Sequence, residues 1–132
     1  MTLKLALDLP GTPPFSSQVV IDRDGDGAFP TTLESCLQGR VAYWIWDETV
    51  FTLWRERLEG PSFPTIAPAH IIRFPASEAN KRLTMVERLA GDLLERGADR
   101  GSALIAVGGG VTGDVVGFLA AILLRGIPHI QV

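Results

Sequence analysis

The sequence predicts an α/β fold, in which a mostly parallel β-sheet is flanked by helices and an amino-terminal β-hairpin opens the chain. Short apolar runs alternate with longer segments whose apolar residues lie three or four apart, as in strands followed by helices. Strands separated by such helices need crossover connections and therefore pair in parallel. The 132 residues are 46% hydrophobic and 20% charged, which suits one domain with one core.

The first elements are predicted from apolar runs and from the residues that interrupt them. Apolar side chains alternate or cluster in residues 3–9 and 18–22, and the prolines and glycine of residues 10–14 force a turn between these two strands. Residues 31–38 suit a short helix, because Leu33 and Leu37 lie four apart and Gly39 follows.

The rest of the chain alternates strand and helix. Residues 41–46 form a compact apolar run, and after a polar turn residues 50–58 place their apolar side chains on one helical face. The remaining predicted strands span residues 70–74, 102–107 and 127–132, and the remaining predicted helices span residues 78–96 and 111–124. Trp44 and Trp46 lie two apart in a strand, so we expect both to pack in the core on one face of the sheet.

Charge and cysteine content argue against several classes of protein. The net charge of −3 gives no positive field for nucleic acid or an anionic membrane. The single cysteine, Cys36, cannot form an internal disulfide, and the first residues lack the apolar run of a secretory signal. The longest apolar run, residues 115–124, is half the ~20 residues of a membrane span. We therefore expect a cytoplasmic protein without nucleic-acid or membrane partners.

Three consecutive glycines follow the predicted strand 102–107 and precede a helix. Glycine loses more backbone freedom on folding than any other residue, so residues 108–110 indicate a need for bare backbone. At the carboxyl edge of a parallel sheet, such a turn presents amide groups and a helix dipole to an anion, for example a dinucleotide pyrophosphate. A tight turn with close packing of helix on strand explains the same glycines equally well.

The longer string containing these glycines resembles a known signature. Residues 108–121, from Gly108 through Asp114, and residues 125–132, from Arg125, resemble the signature of the 3-dehydroquinate synthases in the sugar-phosphate cyclase family. The resemblance implies a Rossmann-like, NAD-binding domain over residues 1–132. It also implies a mainly helical carboxyl-terminal domain, with the divalent metal (zinc or cobalt) and most substrate contacts, which these residues do not contain.

The resemblance implies a reaction of the shikimate pathway. In the family, 3-deoxy-D-arabino-heptulosonate 7-phosphate, a sugar acid phosphate, becomes 3-dehydroquinate plus phosphate, and NAD oxidises and later re-reduces one carbon. Because only the amino-terminal domain is matched, we expect no turnover from the isolated chain, weak NAD binding at most, and a homodimer. Alternatives are a related cyclase that makes carbasugar precursors, a metal-dependent polyol dehydrogenase domain, or a non-catalytic dimerisation module.

Two predicted site elements precede the glycines. By resemblance, Asp47 binds the adenosine side of NAD, with Thr49 in place of the usual asparagine. Asp47 alone is equally suited to cap the following helix. Glu78 and Lys81 match a family element that faces the cofactor from a loop, although without the resemblance Ser77 and its neighbours favour an ordinary helix start.

The glycine turn and its helix supply the other predicted site residues. By resemblance, Gly109, Gly110 and Val111 present backbone to the pyrophosphate, and Asp114 reaches a ribose hydroxyl. Because a carboxylate repels a pyrophosphate, Asp114 must then point toward the sugar. Arg125 corresponds to the arginine that grips the substrate phosphate, and a solvated arginine at a helix end is the alternative.

Metal-binding patterns are weak in this sequence. Residues 22–27 reproduce the first half of a calcium loop, but the twelfth position is Leu33, so an acidic turn is the better interpretation. His70 and His129 have no partner at metal-ligand spacing and are predicted to be structural residues in strands. We therefore predict no metal site and no catalytic residue within the 132 residues.

Overall fold

The computed structural model describes residues 2–9, 15–22, 28–58 and 65–132. In these ranges, helices cover both faces of a four-stranded parallel sheet, and a two-stranded antiparallel hairpin forms a separate small sheet. The predicted α/β class, with its amino-terminal hairpin, is confirmed. The predicted turn at residues 10–14 and residues 23–27 of the acidic loop lie outside the described residues.

The predicted strands and helices are present, with bounds that differ by a few residues. The hairpin strands are β1 (Thr2–Leu9) and β2 (Phe15–Asp22). The parallel strands are β3 (Val41–Asp47), β4 (Ile71–Phe74), β5 (Ser102–Val107) and β6 (His129–Gln131). The helices are α1 (Ala28–Leu37), α2 (Glu48–Leu58), α3 (Leu83–Glu95) and α4 (Gly110–Ile122).

The parallel sheet is buried on both faces, which explains why β5 is almost entirely apolar. Alternate residues of the strands point to opposite faces. One face packs against α3 and α4, and the other packs against α1 and α2. Trp44 and Trp46 are buried on the α1–α2 face with their rings stacked 6.2 Å apart, so their predicted core role is confirmed.

The strand order is β4-β3-β5-β6, so the connections reverse direction between β3 and β5. The chain passes from β3 to β4 on one side and then returns to β5 on the other side of β3. The helices that follow these two central strands, α2 and α4, therefore lie on opposite faces of the sheet. Such a switch point leaves a crevice at the carboxyl ends of the strands, where ligands of open α/β sheets bind.

The first five residues of the helix predicted at 78–96 are not α-helical. Glu78–Asn80 forms a 3-10 turn, Arg82 is extended, and α3 begins only at Leu83. The side-chain amide of Asn80 donates a hydrogen bond to the Pro75 carbonyl at 2.8 Å, which ties the turn to the preceding strand. The Ser77 hydroxyl makes no capping bond, so the predicted helix start at this position is wrong.

The helix predicted at 111–124 also ends early. A 3-10 turn follows α4, and in this turn Leu124 and Arg125 have positive φ values of 52° and 75°. Gly126, at φ 99°, completes the reversal, and β6 begins two residues later than predicted. His70, predicted in a strand, ends a 3-10 turn before β4. None of the described helices is long and apolar enough to cross a membrane.

Candidate functional site

The turn from β3 to α2 is closed by its own aspartate. Asp47 is the last residue of β3, and its Oδ1 accepts hydrogen bonds from the backbone amides of Thr49 at 2.7 Å and Val50 at 3.4 Å. These contacts satisfy two of the amides that a helix leaves free at its amino terminus. The interpretation of Asp47 as a helix cap is confirmed, and this cap uses only one oxygen of the carboxylate.

The turn from β5 to α4 has no side-chain cap. Gly109 occupies the capping position, and the first hydrogen bond of the helix runs from the Gly113 amide to the Gly109 carbonyl at 3.1 Å. The amides of Gly110, Val111 and Thr112 precede that bond and have no acceptor within the helix. A Cβ added to Gly109 or Gly110 meets nothing within 4 Å, so the outer side of the turn is open. The turn therefore offers backbone donors and a helix dipole to an anion.

Gly108 brings this open turn against the carboxyl end of β3. A Cβ at Gly108 would lie 2.5 Å from Thr112 Oγ1 and 3.0 Å from Asp47 Cβ. Only glycine allows this approach, which places the β3 and β5 turns side by side at the switch point. Thr112 is fully buried, and its hydroxyl has no hydrogen-bond partner among the described residues.

Lys81 and Asp114 meet at the same edge of the sheet. The Lys81 ammonium contacts Asp114 Oδ2 at 2.6 Å, and their side chains are 43% and 59% exposed. The hydrogen bond to Asp114 raises the pKa of Lys81 above 10.5, the negative charges of Asp114 and Glu78 act in the same direction, and burial acts in the opposite direction. The structure thus brings together the predicted site residues Glu78, Lys81 and Asp114, and Lys81 and Asp114 form an ion pair.

Arg125 lies far from these residues. It follows the far end of α4, and thirteen residues at 1.5 Å each separate the two ends of that helix by about 20 Å. The side chain is exposed, near the amino ends of the strands. The structure therefore does not bring Arg125 together with the glycine turn of its own chain.

Gln131 is a residue at this edge that the sequence did not single out. It ends β6 beside Ala106 of β5, and its side chain lies over Gly113. A Cβ at position 113 would lie 2.6 Å from Gln131 Cδ. A glycine near the start of a helix, such as Gly113, indicates that another residue packs close to the helix at that point. The sequence alone does not show that this residue is Gln131.

Residues 71–132 match the protein family described as 3-dehydroquinate synthase N-terminal. A 3-dehydroquinate synthase of Solibacter usitatus (strain Ellin6076) is 52% identical over 65 residues, 49% of this chain and 18% of that protein. The chain is thus similar to the amino-terminal part of enzymes in the sugar-phosphate cyclase family.

Other members of the sugar-phosphate cyclase family are similar to this chain at comparable levels. A 2-deoxy-scyllo-inosose synthase of Streptomyces ribosidificus is 43% identical over 86 residues, 65% of this chain and 22% of that protein. A crystal structure of 2-deoxy-scyllo-inosose synthase complexed with carbaglucose-6-phosphate, NAD+ and Co2+ superposes with a TM-score of 0.59 at 32% identity. The superposition covers 77% of this chain and 29% of the chain in that crystal structure. The chain spans about a fifth of the length of these curated relatives.

The residues at the carboxyl edge of the sheet fit part of an NAD molecule. The uncapped amides and the absence of side chains at Gly109 and Gly110 suit a pyrophosphate, and the second oxygen of Asp47 suits a sugar hydroxyl. Among the described residues, no three His, Cys, Asp or Glu side chains are grouped in a way that could hold a metal ion.

Proposed function

We propose that residues 1–132 form the NAD-binding domain of a 3-dehydroquinate synthase, with the pyrophosphate held by the amides of the β5–α4 turn. The observation that carries this proposal is the uncapped turn at the switch point, where Gly108, Gly109 and Gly110 leave the backbone bare. The NAD+ named in the 2-deoxy-scyllo-inosose synthase structure supports the choice of ligand.

Each residue at the edge then has a defined task. Asp47 binds a ribose hydroxyl through the oxygen that does not cap α2, and Thr49 offers its hydroxyl beside it. Glu78, Lys81 and Asp114 contact the cofactor from the α3 and α4 side. NAD supplies the redox chemistry, accepting a hydride from one substrate carbon and later returning it.

The proposed reaction converts 3-deoxy-D-arabino-heptulosonate 7-phosphate to 3-dehydroquinate and phosphate in the shikimate pathway of the cytoplasm. We assign the zinc or cobalt ion and most substrate contacts to a carboxyl-terminal domain outside these 132 residues, and we expect the working enzyme to be a homodimer. If Arg125 binds the substrate phosphate, it does so away from the glycine turn of its own chain, because α4 separates the two by about 20 Å.

Calorimetry with NAD tests the cofactor assignment on this chain. Because one wall of the pocket lies in the other domain, we expect a dissociation constant no better than about 0.1 mM, which corresponds to about 5.5 kcal/mol. Micromolar affinity would contradict the incomplete pocket, and no binding at millimolar NAD would contradict the cofactor assignment.

Adding a folded carboxyl-terminal domain of a relative in trans tests the reaction. We expect release of phosphate from the heptulosonate phosphate only when both parts are present. Sedoheptulose 7-phosphate, a substrate of related cyclases, is the competing substrate in the same assay. Turnover of that sugar alone would assign the chain to a carbasugar-forming cyclase.

A non-catalytic dimerisation module is the second candidate function. One face of the hairpin carries four exposed apolar side chains in two cross-strand pairs, Leu3 with Ile21 and Leu5 with Val19. Exposed apolar patches of this kind are typical of contacts between proteins. The solution mass distinguishes the candidates, because a monomer at high concentration would contradict the dimerisation module but not the binding of NAD.

A further inference from the structure

Two exposed arginines stand at the carboxyl-terminal end of α4, and only one of them is bonded to that end of the helix. The Arg100 Nε–H, from the turn that precedes β5, donates to the Leu124 carbonyl at 3.4 Å. The Arg125 side chain, although it comes next in the chain, forms no hydrogen bond or ion pair with any described residue. Arginines near a helix end hydrogen-bond to the last carbonyls, where the helix dipole is negative. Here Arg100 does so, and Arg125 does not.

The turn that carries Arg125 has an unusual backbone. Leu124 and Arg125 have φ values of 52° and 75°, in the left-handed region that residues other than glycine rarely adopt. Such conformations persist only where the surrounding contacts fix them. Leu123 and Ile127 are buried on either side of the turn, and the Ile127 amide donates to the Ala120 carbonyl at 2.9 Å. The backbone at Arg125 is therefore held by the core on both sides.

The Leu124 carbonyl is the group that the backbone of this turn leaves free. The neighbouring Leu123 carbonyl accepts a backbone amide at 2.8 Å, whereas no backbone amide in the described part of the chain donates to Leu124. Arg100 satisfies this carbonyl and brings a positive charge to the negative end of α4. The Arg100 backbone is held in turn, because the Arg40 guanidinium donates to its carbonyl at 3.4 Å. The helix end therefore has its cation without a contribution from Arg125.

We infer that Arg100 is a positioning residue for Arg125: it occupies the end of the helix, so that the Arg125 guanidinium is free to bind an anion. A free guanidinium binds phosphate through two parallel hydrogen bonds. This inference rests on the proposed function for the identity of the anion, which is then the phosphate of the sugar acid substrate. Without Arg100, the Arg125 side chain turns back to the Leu124 carbonyl, and this contact competes with the phosphate.

NMR of the arginine side chains tests this division of roles without any ligand. In a ¹⁵N-labelled chain, we expect the Nε–H of Arg100 to exchange with water more slowly than the Nε–H of Arg125, because only the first is bonded. In Arg100→Met, the exchange of the Arg125 Nε–H should become slower than in the parent. Equal exchange rates at the two positions in the parent would overturn the inference, and so would an Arg125 rate that Arg100→Met leaves unchanged.

A double-mutant cycle in the two-part assay separates positioning from direct binding of phosphate. We expect Arg125→Met to raise the KM for the heptulosonate phosphate about tenfold or more, because it removes charged hydrogen bonds. Arg100→Met should raise the KM about threefold with little change in kcat, since the bond it removes is long and exposed. In the Arg125→Met background, Arg100→Met should have no further effect. Arg88→Met removes an exposed arginine of α3 with the same change of charge, and this control should leave the KM unchanged.

Two outcomes of that cycle would overturn the inference. Independent increases in KM would show that Arg100 binds the phosphate by itself. A KM that neither substitution changes would show that Arg125 binds no phosphate. If the two parts together give no turnover, the proposed reaction is contradicted instead, and the exchange rates of the Arg100 and Arg125 side chains then decide the positioning role by themselves.

Discussion

Two turns at the same edge of the sheet begin a helix after a buried strand, and they satisfy the helix amides in opposite ways. The β3–α2 turn closes itself, because Asp47 caps the amides of Thr49 and Val50. The β5–α4 turn has glycine at its capping position and no side-chain acceptor. Gly108, which has no side chain, allows the two turns to lie side by side at the switch point.

The difference shows how a ligand site can be distinguished from an ordinary helix start. A side-chain cap contributes about 1 kcal/mol to a helix start, but its absence alone does not mark a ligand site, because α3 also begins without one. At the β5–α4 turn, the missing cap is combined with Gly109 and Gly110, where a side chain would have room. Glycine lowers stability at such positions, and a ligand bound to the bare backbone would offset that loss.

The largest effect is expected where the two turns touch. In Gly108→Ala, the new Cβ would clash with Thr112 and Asp47, at a backbone conformation unfavourable for side chains, so we expect a loss of about 3 kcal/mol of unfolding free energy. Urea denaturation measures this loss of unfolding free energy. Gly109→Ala is the control, because its Cβ meets nothing within 4 Å.

Gly109→Ala should change the unfolding free energy by less than about 0.5 kcal/mol and yet weaken NAD binding, since its methyl group occupies the open side of the turn. Equal stability losses in the two glycine variants would contradict the contact between the turns. A Gly109→Ala variant that binds NAD as tightly as the parent would contradict the proposed location of the pyrophosphate.

A smaller effect is expected at the self-capped turn. Asp47→Ala removes the acceptor for two helix amides and should lower the unfolding free energy by about 1 kcal/mol. Asp47→Asn keeps an oxygen that can cap and should stay close to the parent. Equal losses of stability in both variants would show that the carboxylate charge matters more than the hydrogen bonds of the cap.

The smallest effect is expected at Gly113. Alanine is a better helix former than glycine by about 1 kcal/mol, but its Cβ would displace the end of the Gln131 side chain. We expect Gly113→Ala to be close to neutral alone and stabilising by about 1 kcal/mol in a Gln131→Ala background. Thermal unfolding of the four proteins measures this coupling, and identical effects in both backgrounds would show that Gln131 does not contact position 113.

The sequence predicted the element order, because apolar periodicity and glycine or proline breaks are local signals. The prediction of an α-helix starting at Glu78 was wrong, although the residue types there fit a helix start. The hydrogen bond from Asn80 to the Pro75 carbonyl and the extended backbone of Arg82 arise only in the folded chain. The separation of Arg125 from the glycine turn follows from the length of the predicted helix. The contacts of Gln131 with Gly113 and of Lys81 with Asp114 join distant parts of the chain, and no local pattern encodes them.

Amide chemical shifts during a titration with NAD test most directly whether the uncapped turn holds the pyrophosphate. In an ¹⁵N-labelled chain, with NAD raised to millimolar concentration, we predict the largest shifts at Gly109, Gly110 and Val111. The amides of Thr49 and Val50 should move less, because Asp47 already accepts from them. Shifts confined to the β3–α2 turn, or none at the three residues of the β5–α4 turn, would contradict the assignment.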